Sequence, residues 1–358
     1  SCERLFHRGH TVDCWVSGAK TGIPMPFFMS THGVAILVNS THRVVFDMCH
    51  SERNHYSWRD PRGVIDYYIF VGSTFKELLR KYAMLTGFPK LPPDWSFGLW
   101  YLCRTLSNDY EMVNDARQFR REGIPCDVLG LESGWMETPN DYSVEKQWNQ
   151  NRFPIPSGAW TGPANFFNAV KRMGYHMELW LCNRYDLSYE AERRAGYSRP
   201  TSKDAEPAPP SHASAVVDAS ASPVKWQDAI TRPDEPWFAH LRKFVDQGFD
   251  FFKQDGSEQL NEHPDRLYAN GMRDSEMHNL YPLLYVRQMH EGFAEYAHRR
   301  PVAYTCAGWA GVQAWAGVWT APAKNALDAV CAMLNLSFSG QSWSASDMEA
   351  ESEEGIHF

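Results

Sequence analysis

The segment FDFFKQDGSE, residues 249–258, delivers a carboxylate at the end of an apolar run and then turns at a glycine. Asp255 is that carboxylate. Gly256 after it lets a substrate approach the backbone closely. Lys253 lies two residues earlier, so a continuing strand points both side chains to one face. An ammonium nearby keeps a carboxylate ionised, as a nucleophile requires. The competing reading is a strand-end Asp that caps the next helix. Other polar side chains fall at predicted strand ends: Glu132, then Asn183, Arg184 and Asp186, and finally Asp347 and Glu349. Glu132 is read either as a hydrogen-bond partner for a substrate hydroxyl or as a helix-capping carboxylate. Trp100, Trp135, Trp180 and Trp319 also fall at or near strand ends. Singly each reads as core, but as a set at one mouth they suit a platform for the apolar faces of a sugar.

Other chemistries find little support. The 14 His are scattered, with no HxH or HExxH pair to hold a metal. No GxSxG elbow and no GxGxxG or Walker loop is present, and no cofactor is expected. The net charge of -8, with acids and bases interspersed, gives no nucleic-acid footprint and favours a neutral or weakly charged substrate. The 8 Cys lack CxxC spacing, and several sit in apolar runs. They read as reduced core thiols, which suits a cytoplasmic protein. No apolar run reaches the roughly 18 residues of a membrane span, and SCERLFHRGH is not a signal peptide. The chain reads as a fragment of something longer.

Those residues need elements to carry them. Residues 1–90 predict strands at AILVN, RVVFDM and VIDYYIFVG, then a helix over STFKELLRKYAMLTG. Ser73 or Thr74 would cap that helix and Gly87 would end it. This is the C-terminal part of a β-sandwich domain with a connecting helix. Pro92 and Pro93 mark a boundary. From residue 91 to 358 strands alternate with helices, which argues for a parallel sheet of the (β/α)8 TIM-type barrel class. At most seven strands are countable, so the barrel is incomplete at its C-terminus and lacks its last βα unit. Residues 198–224, rich in Pro, Ala and Ser, read as a flexible surface insertion. In such barrels the active site forms at the C-terminal strand ends, where the residues above collect. Open edges on the first and seventh strands predict self-association.

Several segments together resemble glycoside hydrolase family 31, the α-glucosidase, α-xylosidase and α-galactosidase group. LPPDWSFGLW is similar to that family's approach to its barrel. FFKQDGSE matches its K-x-D-x-x-E signature around the nucleophile. RPVAYTCAGWAGVQAWAGVWT resembles its fifth and sixth strands, and LNLSFSGQSWSASDMEAESEEGIHF its seventh. The resemblance covers most of the chain from about residue 27 onward. It implies a retaining α-glycosidase acting on a carbohydrate through Asp255. Glu132, Trp135, Trp180, Lys253, Glu258, Trp319 and Asp347 would bind the sugar.

The departures bear on mechanism. In the family the sixth-strand Trp is followed by Gly-Asp, two and three residues on, and that Asp is the general acid/base. Here Trp319 is followed by Thr320-Ala321-Pro322, so Pro322 occupies the acid position. Cys306 or its neighbour stands where the family carries Arg, and Gln341 where it often carries His. Retaining hydrolysis uses two carboxyls about 5–5.5 Å apart, and loss of general acid catalysis removes about 10²–10⁴-fold in rate. Asp328 or Glu349 would substitute only if its loop folded inward. The alternative is an impaired, sugar-binding or inert relative.

Overall fold

The computed structural model describes residues 5–18, 21–154, 166–194, 224–225, 235–255, 260, 263–264, 266–320 and 326–347. Six antiparallel strands come first: β1 (His10–Cys14), β2 (Phe27–Ser30), β3 (Val34–Val38), β4 (Val44–Met48), β5 (Tyr56–Arg59) and β6 (Tyr67–Val71). They form two three-stranded sheets, ordered β1-β4-β5 and β2-β3-β6. Alternating burial along β4 (Val44 and Phe46 in, Val45 and Asp47 less so) shows one face turned to a core. Helix α1 (Phe75–Thr86) follows. Its start is set by Thr74, which accepts from the Glu77 N–H, while Glu77 reaches back to the Ser73 N–H. It ends at Gly87, whose φ of 107° and close approach to Ala314 both exclude a side chain.

The second part alternates strand and helix. In chain order it comprises β7 (Trp100–Cys103), α2 (Asp109–Arg121), β8 (Val128–Leu131), α3 (Phe166–Arg172), β9 (His176–Leu181) and α4 (Ser188–Arg194). Next come β10 (Val224–Lys225), α5 (Arg242–Asp246), β11 (Phe251–Gln254), β12 (Arg266–Leu267), α6 (Asp274–Met277) and α7 (Tyr281–Ala297). The last are β13 (Ala303–Thr305), β14 (Gly317–Thr320), α8 (Ala326–Phe338) and β15 (Ser344–Ser346). The predicted helix at PWFAHLRKFVDQG divides into a 3₁₀ turn, Trp237–Leu241, and the short α5. β10 and β12 pair only with each other.

The remaining seven strands form one parallel sheet, ordered β15-β14-β13-β11-β9-β8-β7. It is a curled, incomplete TIM barrel, and among the described residues β7 and β15 have no strand partner on their outer sides. Strands buried on both faces read as unbroken apolar runs, as β8 does with VLGL. Aromatic rings fill the barrel at its N-terminal end. Trp100 packs 4.7 Å from Phe251 and 4.6 Å from Tyr304, and Tyr304 packs 5.8 Å from Trp343, centre to centre. Trp343 fits because position 317 is Gly: a Cβ there would lie 2.4 Å from its ring.

The antiparallel part is fastened to the barrel. Trp15 stacks on His278 at 4.2 Å, and the Val16 carbonyl accepts from His278 Nε2 at 2.7 Å. Asn279 accepts from the Val16 N–H and donates to the Thr41 carbonyl. Trp309, beyond β13, donates to the Ser40 carbonyl at 2.8 Å. The Gly308 N–H bonds the Gly22 carbonyl, and a Cβ on Gly22 would lie 2.1 Å from the Cys306 carbonyl oxygen. No described helix is long and apolar enough to cross a membrane. Nearly all of the proline-rich insertion, residues 198–223, lies outside the described residues.

Candidate active site

Two polar groupings meet at the C-terminal ends of the strands. The first surrounds Lys253, on β11, whose side chain is only 3% exposed. Its ammonium donates to Asp347, just past β15, at 2.8 Å. It stands 3.5 Å from Glu132, just past β8, and 4.3 Å from the centre of the Trp319 ring on β14. Burial pulls the Lys253 pKa down, but the carboxylates around it, Asp347 first and then Glu132, more than offset this and hold it above its ordinary value. The carboxyls shift upward too. Burial raises Glu132 and Asp347, against the pull of Lys253, and each feels the negative charge of Asp255. One cation serving several acids cannot hold them all fully ionised.

The second grouping is Asp255 itself, partly exposed at the lip of β11. Its N–H bonds the Leu181 carbonyl at the end of β9 at 2.8 Å, which fixes where the strand stops. Oδ2 accepts from Trp180 Nε1 at 3.0 Å, and the Cys306 thiol lies 3.5 Å from Oδ1. Burial, then the charge of Asp255, drives the Cys306 pKa well up, so the thiol keeps its proton and serves as a weak donor. Their spacing in sequence pairs Lys253 with Asp255. The two do share a face of β11, but the ammonium reaches across the barrel to Asp347 and Glu132.

The structure thus brings Asp255, Trp180, Lys253, Glu132, Trp319 and Asp347 together. It does not bring Trp135 there. That ring is 1% exposed, packs 4.8 Å from Trp148 and 5.1 Å from Phe244, and donates its N–H to the Trp180 carbonyl at 2.9 Å. The 3₁₀ turn after β8 rotates it into the core behind the sheet, so it forms no platform. Trp100 is likewise part of the aromatic filling at the opposite end of the barrel. Asn183 and Asp186 are buried and serve the chain itself: Asn183 bonds Tyr281 and the Tyr185 N–H, and Asp186 bonds the N–H groups of Ser188 and Ala269. Asp328 lies exposed in the first turn of α8. Glu258, Pro322 and Glu349 lie outside the described residues.

The barrel portion matches the family model described as the glycosyl hydrolases family 31 TIM-barrel domain, over residues 89–350. The chain belongs to glycosyl hydrolase family 31. It is 26% identical over 315 residues to an alpha-xylosidase of Lactiplantibacillus pentosus, covering 79% of this chain and 36% of that protein. It is 25% identical over 381 residues to an isomaltosyltransferase of Sporosarcina globispora, covering 95% of this chain and 34% of that one. It therefore spans about a third of the length of these relatives. Among solved structures, a family 31 dextranase of Flavobacterium johnsoniae complexed with glucose superposes with a TM-score of 0.72 at 20% identity, covering 99% of this chain and 46% of that one. A cycloalternan-degrading enzyme of Trueperella pyogenes in complex with a covalent intermediate gives 0.69 at 21% identity, covering 95% and 51%. At these identities the structures establish the shared fold.

Within the family 31 barrel, sequence reasoning missed two participants. Glu178, in the middle of β9, is fully buried beneath Lys253. A lone acid inside the apolar run HMELWL was the signal that would have revealed it. The contact of Cys306 with Asp255 has no local signal, since it joins the ends of the neighbouring strands β13 and β11, 51 residues apart in sequence.

Proposed function

We propose that this chain carries the nucleophilic half of a retaining α-glycosidase site, with Asp255 as the attacking carboxylate. The observation that carries this reading is the placement of Asp255 at the lip of β11, one oxygen held by the Trp180 indole and the other beside the Cys306 thiol. An Asp Oδ attacks the anomeric carbon, a C–O ester bond forms, and the glycosidic oxygen leaves with the bonding pair. Glu132 and Asp347 accept from sugar hydroxyls, Lys253 holds both in place, and Trp180 and Trp319 bound the sugar's apolar face. Glu258 would join them. The kinship with xylosidases, glucosidases and transglycosylating relatives supports an α-linked glycoside as substrate.

The leaving oxygen also needs a proton, and Pro322 at the expected position has none to give. This residue favours a second reading, in which the chain holds sugars without turning them over efficiently. Leaving-group chemistry separates the two. Aryl α-glycosides with acidic phenol leaving groups depart without protonation, and azide opens the ester without a general base. Slow aryl glycoside turnover accelerated by azide, with almost none for disaccharides, is the expected result. A 5-fluoroglycosyl fluoride should leave a covalent mass increment on the peptide that contains Asp255. A labelled peptide lacking Asp255 would overturn the assignment. Monosaccharide binding by calorimetry without any labelling would support the second reading.

A further inference from the structure

Glu178 lies in the middle of β9 and is fully buried inside the barrel. Oε1 accepts from the Lys253 backbone N–H at 3.2 Å. Oε2 has no hydrogen-bond partner among the described residues. It fills the space left by Gly130 on β8, where a Cβ would lie 2.0 Å from Oε2 and 2.6 Å from Leu102. The Lys253 ammonium is engaged with Asp347 and Glu132 rather than with Glu178. The charged or titratable groups that act on Glu178 from the surrounding strands are Cys103 on β7, Glu132 past β8, Lys253 on β11 and Asp347 past β15. A carboxylate with one bare oxygen in such a place is strongly disfavoured, and taking up a proton removes the cost.

We propose that Glu178 is a positioning residue that works as an uncharged acid, setting the height of Lys253 so that its single positive charge is shared by Asp347 and Glu132 alone. This rests on the glycosidase reading above, because it assigns those two carboxylates to sugar hydroxyls. Burial, acting against Lys253, also drives the Glu178 pKa well above the ordinary carboxylate range. The consequence is specific. An ionised Glu178 would compete for Lys253 and press protons onto Glu132 and Asp347, blunting them as acceptors. An uncharged Glu178 leaves both able to ionise.

Two substitutions test this. Glu178→Gln keeps the acceptor and the shape without the acid, and Glu178→Met keeps the volume without the acceptor. Neither leaves an unpaired buried charge, so the fold should persist in both. Affinity for the sugar that binds the parent chain best would be measured by calorimetry against pH. The Gln variant should match the parent within about twofold, with an unmoved pH profile. The Met variant should lose about tenfold in affinity as Lys253 loses its backbone anchor. A Gln profile displaced to lower pH would show that Glu178 is ionised and overturn the proposal. Unchanged binding in the Met variant would overturn the positioning role. Infrared difference spectra, parent minus Gln variant, should show the carbonyl stretch of a protonated carboxylic acid at neutral pH. The lack of that band would overturn the uncharged state even if no sugar binds, so a failure of the glycosidase reading is recognised separately.

Discussion

Trp180 works at both ends of a short relay. Its indole N–H holds Asp255 Oδ2, and its backbone carbonyl takes the N–H of the buried Trp135. Removing one partner of a partly buried hydrogen bond leaves the other unsatisfied, at a cost of about 1–3 kcal/mol. Trp180→Phe keeps the ring and deletes the donor. We expect it to slow covalent labelling of Asp255 by roughly tenfold or more in the folded variant. Mass spectrometry of the labelling time course is the check, and an unchanged rate would detach Trp180 from the nucleophile. The thiol of Cys306 is a weaker donor, so its removal should matter less.

At the scale of elements, β11 is fixed at both ends. Asp255 ties its outgoing end to Leu181. At its incoming end, Asp250 accepts from the Met177 N–H at 3.0 Å and from Arg299 at 2.6 Å, with His176 and Lys171 close by. Burial alone would raise the pKa of Asp250, but these partners win and hold it below the ordinary carboxylate value. A carboxyl with a depressed folded pKa stabilises fully above its unfolded pKa, and loses that contribution as pH falls through the folded one. Asp250→Asn should therefore cost about 1–3 kcal/mol near neutral pH. The gap from the parent should close in acid, below the ordinary carboxylate range. Urea unfolding at several pH values tests the sign. This alternation of strand and helix was legible in sequence because period and punctuation encode it, as in the Thr74 cap and the Gly87 stop. Which way a ring turns was not legible. Trp135 sits in the 3₁₀ turn after β8, which sends its ring behind the sheet, while Trp180 lies within β9 and reaches Asp255 with its indole N–H. The place of Asp255 at a strand end is legible because an apolar run stops at that residue. Glu178 carries no such signal because mid-strand positions read as packing, and the Lys253 contacts with Asp347 and Glu132 are not legible because sequence spacing cannot see across a barrel.

For the molecule as a whole, β7 and β15 are edge strands of the parallel sheet among the described residues. Near them Phe97, Leu106, Leu327, Val330, Leu334 and Phe338 are exposed. On α8 the last four recur at intervals of three and four, an apolar stripe on the helix face away from Ala329, Ala332 and Leu336. Open strand edges beside apolar surface invite pairing. We expect concentration-dependent association by sedimentation, reduced by Leu327→Lys with Leu334→Lys, whereas a single monomeric boundary at all concentrations would rule it out. The fastening of the antiparallel sheets has a practical corollary. Gly22 presses on the backbone of Cys306, and the Cys306 thiol lies beside the Asp255 carboxylate, so the segment around Gly22 acts as a backstop for that contact. A shortened version cut to the stretch recognised by family comparison would keep every side chain assigned above, yet release the loop on which one of them leans. Choosing where to trim this polypeptide is thus a choice about the surroundings of Asp255.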